Sequence, residues 1–230
     1  MKPTRLALAA TALALCGLAQ ADTAEQQRPL GSFHRIRVEG SFDVQVSPGT
    51  AVQALVRGDA KLLAKVLTQV EGDTLVVRPA ERIGWMQGTP QVRVQVPAID
   101  MVELLGSGNL ALQSFKLPAL TVRVAGSGDV DGRELQVESL EVRLSGSGDV
   151  RLSGRCTTAA MAVAGSGDIS AGDLDCRQVR ISVAGSGDAS VRASERLDAS
   201  VAGSGDIRYL GRPPQVQRAS SGSGSIRPAD

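Results

Sequence analysis

Apolar and polar residues alternate with period two through the second half of the chain. Leu120, Val122 and Val124 are separated by Thr121 and Arg123, and Leu140, Val142 and Leu144 by Glu141 and Arg143. Ala159, Met161 and Val163 repeat the pattern, as do Val179, Ile181 and Val183, and Leu197, Ala199 and Val201. Period-two alternation rich in β-branched residues predicts strands with one buried face. Every run ends at Gly-Ser-Gly followed by Asp, Asn or Ser, whose first glycine is Gly106, Gly126, Gly146, Gly165, Gly185, Gly203 or Gly222. Four positions beyond each of these an apolar residue returns: Leu110, Val130, Val150, Ile169, Ala189, Ile207 and Ile226. That column predicts one internal stack.

The motifs are spaced 20, 20, 19, 20, 18 and 19 residues apart. A fixed period near 20 describes a unit that cannot bury its own apolar face and must stack on its neighbours. The predicted fold is therefore all-β: a right-handed parallel β-helix (β-solenoid) with about 20 residues per coil, the hexapeptide period of left-handed helices being absent. Gly-Ser-Gly-Asp is its corner, where glycine permits positive φ and Asp bonds nearby amides.

Residues 31–100 are less regular and read as N-terminal coils and a cap, with runs at Ile36 to Val38, Phe42 to Val46, Val52 to Val56, Thr74 to Val77 and Val92 to Val96. Gly40-Ser41-Phe42-Asp43 is a relaxed copy of the repeat, so the solenoid is expected to begin there. Asp59 is expected to cap a helix over residues 60–67 that buries Leu62, Leu63, Val66 and Leu67. Residues 101–230 hold the regular coils, and 31–230 are expected to form a single solenoid domain. Arg218 and Ser220 occupy apolar slots of earlier coils, which marks the fading last turn.

Lys2 and Arg5, the apolar run Leu6 to Leu18, and Ala19-Gln20-Ala21 read as a signal peptide over residues 1–21, followed by a polar segment, 22–30. The expected location is thus exported: periplasm, cell surface or extracellular. No later apolar stretch reaches the ~18 residues of a membrane span, so the mature chain is expected to lack a transmembrane segment. A formal net charge of +1 without a basic stripe argues against nucleic acid. Aromatics at 2% offer no stacking platform.

The chain resembles the head GIN domain family of exported bacterial proteins. Phe33, Ile36, Val38, Gly40, Phe42-Asp43-Val44, the Gly72-Asp73-Thr74-Leu75 turn and the serial Gly-Ser-Gly-Asp coils carry the likeness, over roughly residues 30 to 227. The resemblance implies a right-handed parallel β-helix and an adhesin-like role at the cell envelope, and it brings no catalytic residues. The expected function is an exported, non-catalytic binding or structural domain with an unknown surface ligand, protein or glycan, and no cofactor; homo-oligomers are compatible with it. The alternatives are a carbohydrate-active β-helix enzyme and a self-associating envelope scaffold.

Three features could carry chemistry. Asp129, Asp149, Asp168, Asp188 and Asp206 form a column whose neighbours, about 5 Å apart, repel by only about 0.8 kcal/mol in water; the column reads as a structural turn, with a calcium ladder as the alternative. His34, the one histidine, lies far in sequence from that column, and no Ser, His and acid set appears. Trp85 and Met86, within residues 82–88, could contact a partner or pack over the solenoid end. Finally, Cys156 and Cys176 fall at nearly the same azimuth on adjacent coils, which predicts a disulfide worth about 3 kcal/mol in an oxidising compartment. Thiol quantification on denatured, unreduced residues 22–230 should find no reactive thiol; two would exclude the bridge.

Overall fold

The computed structural model describes residues 23–80 and 89–229. The predicted signal peptide, Trp85 and Met86 lie outside those residues. The chain forms a β-solenoid of about 6 turns with roughly 20 residues per turn.

The regular coils, which follow the seven described strands of the N-terminal end, begin with β8 (Met101–Gly106), β9 (Asn109–Gln113) and β10 (Lys116–Gly126). They continue through β11 (Asp129–Gly146), β12 (Val150–Gly165), β13 (Ile169–Gly185), β14 (Ala189–Gly203), β15 (Ile207–Leu210), β16 (Gln215–Gly222) and β17 (Ile226–Pro228). Each pairs in parallel with its equivalent one coil away: Val124 registers with Leu144, Leu144 with Val163, and Val163 with Val183. The predicted inner stack is present, with Leu110, Val130, Val150, Ile169, Ala189 and Ile207 in register and buried, and Ile226 half-buried at the end. Because side chains alternate in and out along a strand, the same register lines the outward residues into columns down the rod.

The corners fix that register. The carbonyl of Gly106 accepts the N–H groups of both Ser127 and Gly128, each at 3.0 Å, and Gly146 does the same for Ser166 (3.0 Å) and Gly167 (3.1 Å). Gly165, Gly185 and Gly203 repeat the arrangement. The first glycine of each motif has a positive φ, +125° at Gly146. The second glycine is required for a different reason: a Cβ on Gly148 would strike the Gly128 carbonyl.

The N-terminal end departs from chain order. It comprises β1 (Thr23–Arg28), β2 (Arg35–Gly40), β3 (Asp43–Pro48), β4 (Gln53–Asp59), α1 (Ala60–Leu63), β5 (Val66–Glu71), β6 (Thr74–Pro79) and β7 (Gln91–Val96). The coil containing Gly40-Ser41-Phe42-Asp43, where the solenoid is expected to begin, is instead an inner rung. β2 and β3 lie between β8 and β9 on one side and β6 and β7 on the other. The chain passes from β7 to β8 across that rung, where Asp100 N donates to His34 O (2.9 Å) and Ile99 is buried.

Direction then reverses: β5 runs antiparallel to β6, β4 to β7, and β1 to β4. β1 carries Glu25, Gln26, Gln27 and Arg28 on the outer edge, a polar strand poorly suited to template further pairing. Asp59 caps the helix through Lys61 N (2.8 Å), but the helix ends at Leu63. Pairing of Val66–Glu71 with β6 overrides the helical pattern expected to reach residue 67, since Val66, Thr68 and Val70 suit a strand.

Gly148→Ala should destabilise the protein by about 1–3 kcal/mol, as overpacking does. Gly31→Ala, with open space around its Cβ, should leave a urea midpoint unchanged. Equal midpoints for the two variants would contradict the corner packing.

Candidate binding faces

Beside the glycine corner runs the acidic column, in register from Asp43 through Asn109, Asp129, Asp149, Asp168, Asp188 and Asp206 to Ser225. Its carboxylates act on the next coil. Asp129 Oδ1 accepts Asp149 N (2.8 Å), Asp149 Oδ1 accepts Asp168 N (3.3 Å), and Asp168 Oδ1 accepts Asp188 N (2.7 Å). Asp188 Oδ1 accepts Asp206 N (2.8 Å), and Asp206 Oδ1 accepts Ser225 N (2.9 Å). Asn109 Nδ2 donates to Asp43 Oδ1 (2.8 Å) at the other end. Asp43 therefore belongs to the column, a membership that the relaxed motif at Gly40 already encoded. Among the described residues no group of three or more His, Cys, Asp or Glu is placed to hold a metal ion.

His34 is exposed on the turn entering β2, at the opposite end of that strand from the glycine corner. The structure does not bring it to the acidic column. Cys156 and Cys176 are register partners in β12 and β13, with Cα atoms 4.5 Å apart and the sulfurs joined.

The broad sheet face preceding the corner changes character along the rod. On its first coils long charged side chains stand in a column: Arg37 Nε contacts Glu103 Oε2 at 2.9 Å, and Arg123 Nη1 contacts Glu103 Oε1 at 3.3 Å. From β12 onward the outward residues nearest the corner are Ala162, Ala164, Ser182, Ala184, Ser200 and Ala202. The step from long to short side chains leaves a shallow open trough of about 770 Å³ over Ala160, Ala162, Ser182 and Ser200. Glu141 and Arg143, paired at 2.6 Å, stand at one end of it. Asp198, held by Arg196 (3.1 Å) and Arg180 (3.7 Å), stands on its side. Such exposed pairs add little stability, but they fix the direction of the rim side chains. Sequence reasoning missed the trough because its signal lies across coils, in residues 18 to 20 apart, rather than along any one strand.

Two carboxyls are held below their ordinary range. Hydrogen bonds from the hydroxyl and N–H of Ser225, with Arg227 at 2.9 Å, lower that of Asp206. Burial pushes the Glu103 carboxyl up, but hydrogen bonds and charge from Arg37 and Arg123 outweigh it and leave the value lowered.

The family model described as "Putative auto-transporter adhesin, head GIN domain" matches residues 32–213. No curated protein matches the chain. Among solved structures it is similar to a "putative adhesin" from Bacteroides fragilis, at 24% identity and a TM-score of 0.86 over 91% of this chain and 98% of that one. A "Putative lipid binding protein" from Parabacteroides distasonis shares 26% identity with a TM-score of 0.74, over 90% and 97% of the two chains. A "putative adhesin" from the same species shares 22% identity with a TM-score of 0.71, over 91% and 98%.

A carboxyl whose folded value is depressed stabilises the fold above its unfolded value and loses that contribution as pH falls through the folded one. The denaturation midpoint should therefore hold from pH 7 to about 5 and fall below about 4. Glu103→Gln should make the acid limb shallower; an unchanged limb would count against the Arg37–Glu103–Arg123 linkage.

Proposed function

The chain belongs to the head GIN domain family, and on that footing we propose that it is an exported, non-catalytic domain that binds a ligand at the bacterial cell envelope. The trough carries this reading. It is a rigid, regular surface on a backbone hydrogen-bonded coil to coil, with Ala methyls and Ser hydroxyls as its floor and fixed charges at its rim. Such a floor offers apolar contact and hydrogen bonding without ordering long side chains, so little entropy is lost on docking. Recognition of this kind needs no cofactor, and the ligand is a protein or glycan of the cell surface. The similar proteins are described as putative adhesins and a putative lipid binding protein. A lipid would have to lie on the outer surface, the trough included, because the solenoid interior is filled by buried side chains.

The acidic column serves structure in this reading, each carboxylate capping a backbone N–H of the next coil. The Cys156–Cys176 bridge would pin two coils at the level of the trough after export.

Purified residues 22–230 should give a saturable hit on an array of glycans, envelope and matrix proteins and phospholipids, with and without calcium. Ala162→Arg, which fills the trough floor from outside, should weaken that hit at least tenfold while leaving the thermal melt unchanged. Binding that survives the substitution would place recognition elsewhere; a blank array with folded protein would sink the reading.

A further inference from the structure

The two ends of the rod are finished differently. At the N-terminal end the parallel array is closed by strands running the other way. At the other end β16 pairs only with β14, and β17 only with β15, so among the described residues no strand meets their far edges. The last rung nevertheless keeps the corner chemistry of every earlier one. Gly222 retains φ +109°, and Ser223 and Gly224 donate to Gly203 O at 2.9 and 3.0 Å. The carbonyl of Gly222, equivalent to the one that takes two N–H groups at Gly106, Gly146, Gly165, Gly185 and Gly203, accepts from no described residue. An eight-residue exposed strand with an unpaired edge is a template for one more strand.

Charge selects what that strand would be. Residues 207–229 contain four arginines, Arg208, Arg212, Arg218 and Arg227, and no Asp, Glu or Lys. Arg227 is paired with Asp206 at 2.9 Å. Arg218, in register with the buried Ala199, points over the core end and, among the described residues, reaches only the Ile226 carbonyl, at 3.4 Å. Arg208 and Arg212 are exposed, and their guanidinium groups make no hydrogen bond or ion pair among the described residues. A second copy joined tail to tail would set these arginines against themselves. One joined head to tail would meet a cap whose outer strands run opposite to the array.

We propose that the β16–β17 edge docks an extended, acidic segment of a partner protein, which adds as a further strand and places its carboxylates against Arg218 and Arg212. Backbone bonds to the open edge supply affinity in this mode, and side-chain charge supplies selection. The edge adjoins the last coil of the trough, whose lining includes Gln217, Arg218 and Ala219, but it would bind through backbone groups rather than through the trough floor.

The test uses a labelled ten-residue peptide alternating Glu with Thr, its Lys-for-Glu counterpart, and fluorescence anisotropy. The Glu peptide should bind saturably and at least tenfold tighter than the Lys peptide, with affinity falling as salt rises. Bound peptide should slow amide exchange across residues 215–222. Arg218→Glu, and separately Arg212→Glu in the exposed turn, should each weaken binding at least tenfold, whereas Ala162→Arg should leave it unchanged. Absence of binding, equal binding of the two peptides, protection elsewhere, or indifference to both arginine variants would overturn the proposal. So would a concentration-dependent dimer that Arg218→Glu abolishes, since the edge would then belong to a second copy.

Discussion

Everything in this molecule depends on how closely one backbone can approach the next at the Gly-Ser-Gly corner. A single carbonyl receives two N–H groups there, and the second glycine passes so near the one beneath it that no Cβ fits. That contact fixes the axial repeat and, because β pairing permits no half-steps, the register of every strand that leaves the corner. In-register stacking then follows: apolar residues inward in columns, carboxylates over backbone amides, and two cysteines face to face.

Stacking of like on like has a cost, which the sequence manages with local devices. Five aspartates in a row would repel, yet each lends an oxygen to an amide of the next coil, and Arg151 and Arg227 sit against Asp149 and Asp206. Glu103 between Arg37 and Arg123 is the same solution on the broad face. The small-residue floor beyond β12 is the opposite choice: nothing long stands there, so nothing has to be neutralised.

The regular coils were legible because identity at fixed spacing transfers directly into contact. Leu110, Val130 and Val150 fall in one stack for the same reason that Gly106, Gly126 and Gly146 do. The N-terminal order was not legible, because β6 and β7 lack the glycine motif, and antiparallel pairing leaves no periodic trace. The short helix ended early for a related reason: Val66 satisfies both a helical face and a strand, and only the presence of β6 decides between them. Among site residues, the acidic column and the cysteine pair could be placed from spacing, whereas the trough emerges only when outward residues of four coils are laid side by side.

The rung formed by β2 and β3 has partners that arrive much later in the chain; Arg37 meets Glu103, 66 residues on, whereas later coils find theirs about 20 residues away. Loop closure of that length carries more entropy than any subsequent step, and each coil added afterwards needs only the surface just completed. The topology thus favours nucleation at the cap, with later coils added in the order in which the chain presents them.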